Sequence, residues 1–140
     1  KGIKKFIEAK PEEAREHGYV QTMFGRRRYL PEINSTVPQV RKGAERIAVN
    51  TPLQGTAADI IKIAMIRAAE ALGGLNKQGQ RVRMLLQVHD ELLFEVKKEA
   101  IDELIDWIKP IMENVVKLKV PFIVDVSQGR NWGEMRRIIK

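Results

Sequence analysis

The chain contains no cysteine, which excludes disulfides and thiolate-held metals and suits a reducing, cytoplasmic setting. No apolar run approaches the length of a membrane span, so no membrane partner is expected. The opening KGIKKFIEAK lacks the apolar region of a secretory leader. No Met stands at position 1, and the chain is therefore expected to be cut from a longer polypeptide. The only histidines, His17 and His89, lack the ligand spacing of a zinc site. Ser35 and Ser127 have no partners that would make a nucleophilic triad. Repeats, low-complexity tracts and the glycine spacing of Walker or dinucleotide loops are absent as well.

What remains is a globular composition. The 140 residues are 44% apolar and 31% charged, enough for one ordinary domain with a core. A net charge of +7 favours a polyanionic partner. The excess is uneven. Between Gln21 and Arg46, Arg26, Arg27, Arg28, Arg41, Lys42 and Arg46 face only Glu32 and Glu45, a local balance of +4.

Apolar spacing predicts an amphipathic helix over residues 3–16, with Ile3, Phe6, Ile7 and Ala14 on its buried face and Gly18 as its stop. Residues 19–22 and 27–30 flank Gly25 as a short hairpin or an extended loop, closed by Pro31. Asn34, Ser35 and Thr36 offer caps and Pro38 suits a first turn, so a helix runs from there to about residue 50. Pro52 lacks an N–H and crowds the Ala48 carbonyl, which predicts a break or kink. Thr56 and Asp59 resemble a capping box for a second helix carrying Ile60, Ile61, Ala64, Met65, Ala68 and Leu72. Being apolar on most sides, that helix is expected to be deeply buried, to end at Gly73-Gly74, and to lead into a polar loop over 75–81.

Residues 82–88 and 92–96 read as strands, 99–116 as a helix that Pro110 kinks or splits, and 121–126 as a third strand. The tail through Trp132 reads as peripheral. Strands and helices segregate, which predicts an α+β fold with a small antiparallel sheet packed against several helices.

QVHDELLFEV places His89, Asp90 and Glu91 between the two predicted strands. A solvent-facing hairpin tip is the plain reading. Three details favour a second one. There is no Gly or Asn for a two-residue mirror-image turn, the flanking strands are apolar, and a histidine precedes the acids. A tip held by two buried strands would present Asp90 rigidly to a hard cation. Mg²⁺ takes one or two carboxylates and completes its shell with water and substrate phosphates. Two-metal phosphoryl transfer needs a carboxylate able to share ions about 3.5–4 Å apart.

Arg46, Asn50 and Gln54 stand at i, i+4 and i+8, one stripe of a helix. Such donors reach the purine N3 and pyrimidine O2 acceptors common to all correct base pairs in the minor groove. A solvated helix face is the alternative. The Arg26-Arg27-Arg28 triplet suits phosphate contacts, or simply solubility.

In GYVQTMFGRRRYLPEI, ERIAVNTPLQGTAADIIKIAM, VRMLLQVHDELLFEV and VPFIVDVSQGRNW, the chain resembles the C-terminal part of family A DNA polymerases, the bacterial DNA polymerase I type. The likeness spans nearly the whole chain in order. It implies that VHDE is motif C of the palm, with Asp90 a catalytic metal ligand, Glu91 an accessory carboxylate and His89 close to the primer terminus. It also implies that Arg46, Asn50 and Gln54 contact the minor groove of the primer-template, that the GRRR region lies near the template, and that two Mg²⁺ ions serve the intact enzyme. Residues 1–50 would then end the fingers, and 51–140 would form a palm portion.

That family carries an earlier palm aspartate in a DYSQIE-like motif and a fingers helix that clamps the triphosphate. Neither is found here. The resemblance thus implies a DNA-directed DNA polymerase whose remaining active-site parts lie on missing upstream polypeptide, and which is inactive without it. Primer-template DNA and a deoxynucleoside triphosphate are the implied partners, in a bacterial cytoplasm or, for a viral gene, a host's. A non-catalytic duplex-binding module and a metal-dependent nuclease are the alternatives.

Overall fold

The computed structural model describes residues 2–77 and 82–138. Helix α1 (Gly2–His17) leads into strands β1 (Tyr19–Gln21) and β2 (Arg27–Tyr29), a 3-10 turn at Pro31–Asn34 and helix α2 (Pro38–Lys77). Strands β3 (Val82–Val88) and β4 (Glu91–Val96), a 3-10 turn at Lys98–Ala100 and helix α3 (Ile101–Glu113) follow. Strands β5 (Val126–Gln128) and β6 (Arg136–Ile138) close the chain, with a 3-10 turn at Trp132–Glu134 between them. The fold is α+β. Among the described residues its strands form three antiparallel ribbons of two strands each, β1–β2, β3–β4 and β5–β6. The last ribbon differs from expectation: residues 121–125 carry no ladder, and the tail beyond Trp132 supplies β6 as a partner for β5.

The chain divides into two compact units, Lys1–Asp59 and Ile60–Lys140, and α2 runs through the division. In the first unit, Ala14, Val20, Leu30, Ile33, Ala44 and Ala48 form the core, with Ile47 packed against it. Helix α1 stops as its glycine predicts: Gly18 takes φ 77° and its N–H reaches the Ala14 carbonyl at 2.9 Å. Only Ala14 of its apolar face is buried, whereas Ile3 is 80% exposed. The expected buried face of α1 is therefore mostly uncovered in this chain.

Pro52 neither ends nor splits α2. An internal proline costs a helix about 3 kcal/mol, but α2 is held on both sides of it, by Ala44 and Ala48 before and by Ile60 and Ala64 after. Pro52 is itself buried. Because the helix is continuous, Thr56 and Asp59 have no terminus to cap. Gly73-Gly74 is also traversed, and the expected 75–81 loop begins inside α2, while its residues 78–81 lie outside the described residues. A two-point clamp secures this last turn. The Asn76 side chain donates Nδ2 to the Val82 carbonyl at 3.0 Å and accepts the Val82 N–H at 2.9 Å.

In the second unit α2 buries one stripe, Ile60, Ala64, Ala68 and Leu72. It is not buried all round, since Ile66 is 59% exposed. Ala68 and Leu72 pack with Val82, Leu104 and Ile108, and half-buried Met84, Phe94 and Val96 join them. Ile60 and Ala64 pack with Val115. Helix α3 passes through Pro110 and ends at Glu113, where Arg67 Nη1 donates to the Asn114 carbonyl at 3.1 Å. This core seats the β3–β4 ribbon.

Candidate active site and nucleic-acid interface

The β3–β4 ribbon pairs Val82 with Val96, Arg83 with Glu95 and Met84 with Phe94, then Leu86 with Leu93, Gln87 with Leu92 and Val88 with Glu91. The register shifts between Met84 and Leu86, so Leu85 is an extra residue, a bulge of the kind that re-aims side chains beside functional sites. Only Val82 of the two strands is buried, and Leu85 and Leu86 are each 49% exposed. The tip is therefore not carried by two buried strands, as the apolar runs suggested. One face of the ribbon meets α2 and α3, and much of the remainder is open.

The tip is a two-residue turn of His89 and Asp90, formed without Gly or Asn. His89 supplies the left-handed conformation, φ 52°, alone among the described non-glycine residues. That backbone region costs an L-residue about 1–2 kcal/mol. Gln87 Nε2 braces it, donating to the His89 carbonyl at 2.5 Å. Strained single residues persist where surrounding structure over-determines them, and they cluster at active sites. His89, Asp90 and Glu91 are all exposed.

Among the described residues no third His, Asp or Glu gathers with Asp90 and Glu91 into a metal-holding group. The pair fits an Mg²⁺ ion that keeps water and phosphate ligands, because such an ion asks for one or two protein carboxylates. It does not make a closed site.

In the first unit, Arg26, Arg27 and Arg28 line an open cavity of about 470 Å³ with Thr51, Gln54 and Gly55. The three arginines are not equivalent. Arg26 is turned inward, with Nε on Asp59 Oδ1 at 2.8 Å and Nη2 on the Gly55 carbonyl at 3.0 Å. The Arg27 guanidinium stacks 4.5 Å from the centre of the Tyr19 ring, whose edge-on neighbour is Tyr29. Arg28 is exposed. Continuity of α2 keeps Arg46, Asn50 and Gln54 on one exposed helical stripe. Gln54 faces the arginine cavity, whereas Arg46 and Asn50 line a second groove of about 1040 Å³ with Lys42, Val49 and residues of α1.

The sequence matches the family model for DNA polymerase family A over residues 1–134. The chain belongs to the family A DNA polymerases. DNA polymerase I of Streptococcus pneumoniae serotype 4 is 47% identical over 135 residues, which is 96% of this chain and 15% of that protein. Thermostable DNA polymerase I of Thermus thermophilus is 47% identical over 130 residues, 93% of this chain and 15% of its own length. A solved structure, the POL domain of Pol1 from M. smegmatis in complex with DNA primer-template and dNTP, is similar with a TM-score of 0.79 at 48% identity. That similarity covers 86% of this chain and 21% of the solved one. The chain thus spans a small part of the family A polymerases it matches.

Thr22, Gly55 and Asp59 escape a reading of local pattern. Thr22 is buried, and its hydroxyl accepts the N–H groups of Phe24 at 3.3 Å and Arg26 at 3.2 Å. Thr56 Oγ1 donates to the Pro52 carbonyl at 2.5 Å and accepts the Met23 N–H at 2.9 Å. The spacing that resembles a capping box belongs instead to a contact between α2 and the β1–β2 turn. An aspartate after a Gly-Thr step, with arginines upstream, is the only signal available, and it is a faint one.

Proposed function

We propose that this chain is part of the polymerising region of a DNA-directed DNA polymerase, acting in replication or repair. The observation that carries the proposal is the family match over residues 1–134, coincident with a strained two-residue tip that exposes Asp90 and Glu91. We assign residues 1–50 to the end of the fingers and the DNA-contacting helices, and residues 51–140 to a palm portion. The substrates are a primer-template duplex and a deoxynucleoside triphosphate, in the cytoplasm where the genome lies.

In the reaction, the primer 3′-hydroxyl forms a bond to the α-phosphorus of the nucleotide. The α–β phosphoanhydride breaks, pyrophosphate leaves, and the hydroxyl proton passes to solvent. Asp90, assisted by Glu91, would hold Mg²⁺ together with a carboxylate from polypeptide outside this chain. Bound there, such ions would supply Lewis-acid chemistry, making the hydroxyl a better nucleophile and offsetting charge on the leaving oxygens. His89 sits beside the metal-holding acid, where it can contact the primer terminus. Arg46, Asn50 and Gln54 offer donors to minor-groove acceptors, and Arg27 and Arg28 offer charge to template phosphates.

Primer extension by the polymerase containing this chain, with Mg²⁺ and then with a chelator, tests the reading. Extension that needs the metal and leaves the primer uncut supports it. Binding without extension would favour a non-catalytic module, and metal-dependent shortening of the primer would favour a nuclease.

A further inference from the structure

The arginine triplet carries a division of labour that charge alone does not reveal. The β1–β2 turn sits on α2 through a set of interlocking contacts. Thr22 N–H reaches the Arg26 carbonyl at 3.0 Å, Gly25 N–H reaches the Thr22 carbonyl at 3.0 Å, and Gly25 takes φ 81° to close the turn. Thr56 Oγ1 then receives Met23 N–H, and Arg26 binds both Asp59 and the Gly55 carbonyl. The fit is close at Gly55. A Cβ placed there would stand 2.7 Å from Thr22 Cγ2 and 3.4 Å from Arg26 Nη2. Thr22 is 4% exposed, so it has little room to yield.

The acid in this lock is mostly buried, with 11% of the Asp59 side chain exposed against 52% for Arg26. Two donors of the guanidinium, Nε and Nη2, are committed within the protein, which fixes its orientation. The neighbours it orients are Arg27, Arg28 and Gln54, which line the same cavity.

We propose that Arg26 and Asp59 are positioning residues, which lock the β1–β2 turn onto α2 so that Arg27, Arg28 and Gln54 present one preformed surface to duplex DNA. The inference rests on the reading of that cavity as a DNA-facing surface. It makes Arg26 a support for the phosphate contacts and not one of them. It also predicts a sign opposite to simple electrostatics: removing the negative charge of Asp59 weakens binding of a polyanion.

The test is a primer-template titration of the full polymerase containing this chain, at several salt concentrations, with single-turnover rates at saturating DNA. Asp59→Asn is expected to raise the Kd about three- to tenfold while leaving the salt slope and the saturated rate near the parent's. Gly55→Ala should act in the same direction. It keeps every charge and favours the helix, so it remains informative if Asp59→Asn fails to fold. Arg28→Ala should lower the salt slope by about 0.9, as expected for one lost phosphate contact. Arg26→Ala should leave that slope unchanged. Active-site titration separates these effects from a smaller folded fraction.

If Asp59→Asn and Gly55→Ala bind DNA as tightly as the parent, or tighter, while Arg28→Ala weakens binding, the lock is overturned and the DNA-facing reading survives. A drop in slope for Arg26→Ala equal to that of Arg28→Ala would also overturn it. If Arg28→Ala and Gln54→Ala change neither Kd nor slope, the DNA-facing reading itself falls, and the lock's role in binding falls with it.

Discussion

Val88 pairs with Glu91 across the β3–β4 ladder, so only His89 and Asp90 form the turn between the strands. A carboxylate on so short a turn has little freedom to move once the ribbon is seated, which suits a ligand acting on a transition state. In the polymerase containing this chain, Asp90→Ala is expected to abolish nucleotide incorporation while leaving DNA affinity nearly unchanged. Metal ligands act on the reacting centre, whereas phosphate contacts supply affinity. Rapid-quench incorporation beside a binding titration checks this, and a variant that keeps most of the parent rate would remove Asp90 from the metal site.

The strain at His89 has its own test. Glycine accepts φ 52° without penalty, whereas alanine keeps the clash between Cβ and backbone. His89→Gly should therefore unfold in urea about 0.5–1.5 kcal/mol later than His89→Ala, after the extra chain entropy of glycine is taken into account. Equal stabilities would mean that position 89 does not hold the left-handed backbone in solution.

Arg46, Asn50 and Gln54 share an exposed stripe of a helix that Pro52 does not interrupt. Alanine at any of the three should slow extension, most of all from mismatched primer ends, where N3 and O2 acceptors are displaced. Each lost contact should be worth about 1–3 kcal/mol where it is buried against DNA and charge-assisted. Matched and mismatched extension rates identical to the parent's for all three variants would leave the stripe as solvated surface.

The 140-residue chain by itself should bind duplex DNA weakly, without sequence preference, and should not extend a primer. Asp90 and Glu91 gather no third metal ligand among the described residues. Alignment, which supplies much of phosphoryl-transfer catalysis, would have no triphosphate clamp behind it. Affinity should fall steeply with salt as bound counterions are released. Robust extension by the chain alone, or binding indifferent to salt, would refute the respective half of this prediction.

Several turns and helix ends were legible because their causes are local, although α2 runs through the stop expected at Gly73-Gly74. Gly18 ends α1, Gly25 sits in the β1–β2 turn, Pro38 opens α2, and the apolar runs around His89 and Asp90 form a ribbon. Distant partners were not legible. Arg26 and Asp59 are 33 residues apart, and nothing in the local pattern of either chooses the other. Pro52 misleads for the same reason, since propensity predicts a break while packing before and after it keeps the helix whole. The left-handed backbone of His89 is a third case: histidine enters that region more readily than most residues but still rarely, and closure of a two-residue turn is what demands it here.

Because its ribbons have only two strands each, every strand in them has one edge whose N–H and C=O groups find no ladder partner among the described residues. One strand of each ribbon carries two charges: Arg27 and Arg28 on β2, Glu91 and Glu95 on β4, and Arg136 and Arg137 on β6. Strand β3, VRMLLQV, has one charge and exposes Leu85 and Leu86. Edges of that composition recruit further strands, from a partner polypeptide or from another copy. The isolated chain should accordingly self-assemble as its concentration rises, and Leu86→Lys should suppress this. Sedimentation across a dilution series would show it, and behaviour indifferent to that substitution would place the association elsewhere. Metal chemistry at the tip and colloidal behaviour along the edge would then trace back to the same β3–β4 ribbon.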